Sequence, residues 1–226
     1  MTEARQVSLP PQLGRLVALL GPPSGAPLDT DSAAARLRDI SEASPSLATA
    51  LCDLLAAHNG GRGFEGALTL LPLDGKADPE IRAANRAWRE AYGPLSQAMT
   101  AFGFGGLGDL CVLTRDGVGW FDPETGETEL VGTTLEQWAT DLLDDYDMRT
   151  GHSLVRAWQA ENGRLLPGEV LRAERPFVLG GAYDPANLRR TPIGQSFTSG
   201  ARLARALAGR PDGSTLSWPL PDKPEE

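Results

Sequence analysis

The sequence predicts an α+β fold in which helices precede and follow an antiparallel meander, and three observations lead there. Short strand patterns follow one another at 109–114, 119–122 and 127–131, joined by Arg115-Asp116-Gly117 and Pro123-Glu124-Thr125-Gly126, which carry the Asp-Gly and Pro-x-x-Gly chemistry of tight turns. Apolar residues recur at helical spacing on either side, as Ile81, Ala84, Trp88 and Tyr92 upstream and as Leu135, Trp138, Leu142, Leu143 and Tyr146 downstream. The chain is 41% apolar and 23% charged, a balance that buries a core rather than leaving the chain disordered.

Residues 1–32 read as a lead-in segment, rich in Pro and Gly around an apolar piece at 13–20 long enough for two helical turns. Asp31 or Ser32 is expected to cap a helix over 33–40, and Ser44-Pro45 opens a second with Leu47, Leu51, Leu54 and Leu55 on one face. Asn59-Gly60-Gly61 ends it, because these residues tolerate the left-handed conformation of a helix C-terminus. The stretch 66–71 predicts a short buried strand stopped by Pro72, Asp78-Pro79 opens the next helix, and Gly93-Pro94 closes it. Thr133 or Thr134 caps the helix after the meander, and Gly151 separates it from another carrying Leu154, Val155 and Trp158. Past Asn162-Gly163 the chain is expected to be loop-rich, with 176–183 docking as a strand or extended segment, a last helix over 197–208, and a tail from 218.

The net charge of −9 is unevenly spread: four basic residues stand against six acidic in 1–60, six against sixteen in 61–147, and eleven against eight in 148–226. An acidic middle repels phosphate backbones and speeds encounter with basic partners, which disfavours nucleic acid and favours a basic protein ligand. Cys52 and Cys111 each sit in an apolar pattern and read as small buried hydrophobes rather than a disulfide. The N-terminal apolar run is too short for a secretory signal, and no stretch approaches the roughly 18 apolar residues of a membrane span, so the expected location is the cytoplasm.

Catalytic and cofactor motifs are not supported by their context. Gly103-Phe104-Gly105-Gly106-Leu107-Gly108 matches the letters Gly-x-Gly-x-x-Gly, but a dinucleotide site needs a strand before the glycines and a helix after, and here the order is reversed; a flexible entry into the sheet is expected instead. Glu136, Asp141, Asp144, Asp145 and Asp147 do not converge as a hard cation requires, because helical spacing puts Asp141, Asp144 and Asp145 on one outward face. His58 and His152 fall at helix ends in no ligand or nucleophile spacing. The chain is therefore expected to be non-enzymatic, with no cofactor and no metal. The candidate partner-binding face comprises Trp120, Asp122, Glu124, Glu127, Glu136, Asp141, Asp144, Asp145 and Asp147.

A family resemblance rests on the order of several short motifs. The helix ending Leu54-Leu55-Ala56-Ala57-His58-Asn59-Gly60-Gly61 is followed by Gly66-x-Leu68, then Phe104-Gly105-x-x-Gly108-Asp109, then Gly119-Trp120-Phe121-Asp122-Pro123-Glu124-Thr125-Gly126-Glu127, then a Thr-capped helix with Trp138 and Leu142-Leu143. This series, spanning 33–150, resembles the SUKH superfamily. Phe177-Val178-Leu179-Gly180-Gly181-x-Tyr183 with Asn187-Leu188, and Arg210-Pro211-Asp212-Gly213, resemble a C-terminal extension at 151–226 carried by some members, similar to type VI secretion immunity proteins with a GAD-like domain.

The resemblance implies a central, mostly antiparallel sheet flanked by helices, with the helical and loop-rich extension packed on it. It implies binding rather than catalysis: an immunity protein that neutralises a toxin, such as a nuclease or deaminase with a basic surface, or alternatively a regulatory adaptor of the same fold. It transfers no catalytic residue set. The long helical insertion at 74–106 departs from the pattern and bears on whether the usual binding surface stays open.

Overall fold

The computed structural model describes residues 7–39, 41–73, 79–211, 213–216 and 218. Eight helices of at least five residues occur among them: α1 (Pro11–Ala18), α2 (Thr30–Leu37), α3 (Pro45–Ala57), α4 (Ile81–Tyr92), α5 (Leu135–Asp144), α6 (Tyr146–Thr150), α7 (His152–Asn162) and α8 (Ile193–Leu207). The fold is α+β. Strands β1 (Gly61–Gly63), β2 (Leu68–Leu70), β3 (Thr100–Gly105), β4 (Leu110–Leu113), β5 (Val118–Phe121) and β6 (Thr128–Gly132) form one antiparallel sheet in sequential order. A separate ribbon pairs β7 (Glu169–Ala173) with β8 (Leu188–Pro192).

Strands β2 to β5 are buried along their whole length, because helices cover both faces of the sheet. Adjacent residues of β5 show the two layers: Phe121 meets the edges of Trp88 and Tyr92 from α4, whereas Trp120 lies against Trp138 of α5. Helix α8 packs beside α4 on the first face, and α1 packs on α5. The ribbon forms a second, smaller core with α7, built from Val155, Trp158, Leu171 and Leu188. On β7, Val170 joins the main core while Leu171 joins the second, so this strand ties the two together.

Several elements differ from the expectation for physical reasons. The lead-in is no mere approach: Leu13 and Leu16 of α1 enter the main core. Asp29, rather than Asp31 or Ser32, caps α2, its carboxylate accepting from the Ser32 amide. Glu80 caps α4, while the expected cap Asp78 lies outside the described residues, as do Ile40, Asp212 and the tail beyond 218. The glycine run at 103–108 begins inside β3 and is not a flexible entry. A Cβ at Gly103 would sit 2.8 Å from the Thr69 carbonyl oxygen, so close strand packing asks for glycine there. The helix after the meander breaks at Asp145, ahead of Gly151, whose left-handed backbone separates α6 from α7. The segment 176–183 holds a single 3-10 turn, Phe177–Leu179, and the strands of the extension lie on either side of it. Both cysteines are free and buried. Among the described residues no helix is long and apolar enough to cross a membrane.

Candidate partner-binding groove

A groove of 1090 Å³ opens where three units meet: the β4 to β6 meander, the α6–α7 bend and the β7–β8 ribbon. Trp120, Asp122, Glu124 and Glu127 line it from the meander, and Asp145 and Asp147 from the bend. Six of the nine residues singled out by sequence therefore meet at one surface. Glu136, Asp141 and Asp144 do not reach it.

Most of these carboxylates already have work inside the fold. Glu136 receives the backbone N–H groups of Gln12 and Leu13, each at 2.9 Å, and so fixes the N-terminus of α1. Asp141 is clamped by Arg149 at 2.8 Å and accepts from the Trp120 indole at 3.3 Å; the same Arg149 holds Glu129 at 2.8 Å. Asp145 caps α6 through the Met148 amide, and Asp147 accepts from the Ser153 amide at 2.6 Å. Asp122 shapes its own turn by accepting from Glu124 and Thr125. These roles correct the expectation of one free acidic helix face. The helix ends between Asp144 and Asp145, and Asp141 is neutralised from within the chain.

Trp120 is 6% exposed, so it is a core anchor that shows only an edge to the groove, not an exposed hot spot. Glu124 is buried as well, its carboxylate accepting from the Val178 amide at 2.9 Å while desolvation raises its pKa. Glu127 and Asp144 are exposed, and no hydrogen bond or ion pair engages either carboxylate among the described residues.

Arg149 sets much of this local electrostatics. Two carboxylates hold it in the charged form, with the Glu129 hydrogen bonds the largest contribution. Arg149→Ala is expected to cost about 2 kcal/mol in urea denaturation, because Asp141 is left half-buried beside Trp120 without its cation. A loss below about 0.5 kcal/mol would show that solvent screens the cluster as it does an ordinary surface pair.

The groove also holds residues that the sequence reading passed over. Asp109, at the turn between β3 and β4, is partly open to it; desolvation first and the Asp122 carboxylate next push its pKa up to about 7. Arg172 comes from β7, 6% exposed. Tyr92 stands beneath, donating to the Pro123 carbonyl at 2.7 Å, and burial raises its pKa beyond the usual phenol range. Tyr183 stacks on Phe177 with ring centroids 4.1 Å apart at the rim. The available sign was Arg172 itself, a charge inside the apolar run Val170-Leu171-Arg172-Ala173. Among the described residues no group of three or more His, Cys, Asp or Glu side chains is arranged to hold a metal ion.

No family model matches this sequence, and no curated protein sequence matches it. The chain is similar in structure to Atu4351 from Agrobacterium tumefaciens, known from a crystal structure, with a TM-score of 0.54 at 14% identity over 82% of this chain and 87% of that one. At that identity the comparison shows a shared α+β fold across most of both chains and nothing further.

Proposed function

We propose that this chain is a non-catalytic protein-binding module, an immunity protein that captures a toxin through the acidic groove and neutralises it in the cytoplasm. The observation that carries this reading is the groove's make-up: carboxylates on two walls, with the exposed apolar side chains Met148, Val178 and Tyr183 around it. Negative walls speed the approach of a basic surface, and apolar side chains open to water supply area to bury once it arrives. The resemblance of 33–150 to the SUKH superfamily supplies the toxin-neutralising sense of the proposal.

The test is co-expression with toxin candidates encoded beside the gene, read as a stoichiometric co-purifying complex and as protection of the cells. Glu127→Lys, at the groove, is expected to slow association several-fold at low salt while leaving the unfolding transition unchanged, since this carboxylate does not support the fold. Unaltered association would move the binding face elsewhere. Failure of every neighbouring product to bind would remove the immunity assignment.

A further inference from the structure

Arg172 is a charged side chain set in an otherwise apolar stretch of β7. It shares a face of β7 with Val170 and points toward α8, where a Cβ on Gly200 would come within 3.3 Å of its guanidinium. It is more than nine-tenths buried, lines the groove, and makes no hydrogen bond and no ion-pair contact among the described residues. A guanidinium carries five N–H donors, and here they find no acceptor among the described residues and keep only the slight contact with water that the groove leaves them, near the carboxylates of Asp109 and Glu124. Beside it, the Asp109 carboxylate is met by its own backbone N–H but by no donor from another described residue, and Asp122 and Glu124 add negative charge close by.

A ligand suited to this floor must bring positive charge to the carboxylates and an acceptor to Arg172. A bare metal cation or a polyamine brings only the first and meets repulsion from Arg172. A simple anion brings only the second and meets three carboxylates. A basic residue within a polypeptide brings both, as a side-chain cation and a main-chain carbonyl. The rim fits its aliphatic stem: Tyr183, 73% exposed and backed by Phe177, and Met148, 78% exposed, stand open at the groove.

We propose that the groove floor is a receptor for one arginine or lysine residue of an extended partner segment, its cation received by Asp109 and Asp122 and its main-chain carbonyl by Arg172. The inference rests on the protein-binding reading above and names the chemistry of the contact. Binding also moves a proton. The groups facing Asp109 are Asp122 and Glu124 from the β5–β6 turn, Arg172 from β7, Tyr92 from α4, Cys111 from β4 and Tyr183 from the rim. With its pKa near 7, Asp109 is partly protonated at neutrality, and an arriving cation expels that proton. Affinity for the basic residue therefore rises from pH 6 to pH 8.

The full-length protein is titrated with the capped tripeptide Ac-Gly-Arg-Gly-NH2, its citrulline counterpart and spermidine, following backbone amides by 15N NMR. The arginine tripeptide is expected to saturate shifts at Asp109, Asp122 and Arg172, with the citrulline peptide at least about tenfold weaker. Asp109→Asn, which keeps the shape and removes the charge, should weaken the arginine peptide by a similar factor and abolish the pH dependence. Unmoved groove amides, equal binding of citrulline, or spermidine saturating the same amides as tightly would overturn the receptor; the peptide comparison decides even if a variant misfolds. Should a neighbouring toxin bind while the tripeptide moves nothing, the receptor falls and the binding face stands. The reverse pattern retains the receptor and removes only the toxin assignment.

Discussion

Asn85→Ala is expected to lower the unfolding free energy by about 3 kcal/mol, among the largest effects of any single polar substitution in this chain. Asn85 is 1% exposed on α4 and closes a gap in the sheet. Pairing of β3 with β2 covers 103–105, so Ala101 has no strand on that side, and a bulge between Ala101 and Gly103 disturbs its pairing with β4. The Asn85 side chain takes the place of the missing strand, accepting from the Ala101 N–H at 2.8 Å and donating to its carbonyl at 2.7 Å and to that of Ile81 at 2.7 Å. Alanine leaves buried backbone groups without partners in a site closed to water. Urea denaturation of the variant checks this. A loss under about 1 kcal/mol would mean that the backbone finds substitutes by relaxing.

Asp109→Asn is expected to act in the opposite direction, with an effect that grows from about pH 4 and is complete above about pH 7. The ordinary pKa of 3.8 applies to the unfolded chain, whereas the folded value is raised to about 7. Between these values the unfolded chain has released its proton and the folded chain still holds one. Stability from this group is therefore complete below pH 3.8, falls as pH rises through the window, and stays reduced above pH 7. At 1.36 kcal/mol per pH unit the reduction is at most about 4 kcal/mol, and about half that once the open side of the groove is allowed for. Asparagine cannot ionise, so the variant should be about 2 kcal/mol more stable than the parent at pH 8 and indistinguishable from it at pH 4. Equal differences at both pH values would show that the carboxylate is not held in its neutral form. A groove that stores such destabilisation is also one that gains when a cation arrives.

These two residues mark where local pattern stops being informative. The meander was legible because tight turns need specific residues at specific places, and Asp116-Gly117 and the Asp122 turn advertise themselves. The starts of α3 and α5 were legible for a similar reason, marked by Ser44-Pro45 and by Thr133-Thr134, and in the fold Ser44 and Thr134 each accept from the amide three residues on. Strand β3 was not, because its glycines are demanded by the close approach of β2 and not by any turn. Strands β7 and β8 were hidden too, being separated by a loop with a 3-10 turn that looks more apolar and strand-like than it is.

Local pattern was enough to give the α+β class, most of the helices, the meander and the concentration of negative charge in the middle of the chain. Which of those charges are already engaged depends on contacts between distant segments. Glu136 is committed to α1 across a separation of 124 residues, Asp141 to Arg149 beyond a helix break, and the pKa of Asp109 is raised first by burial and then by Asp122 from the β5–β6 turn, with an arginine from the ribbon facing it. The reason is that a hydrogen bond or a desolvated charge depends on distance in space. Periodicity reports only on neighbours within a few residues, so it can place a carboxylate on a helix and remain silent about what the chain later brings against it.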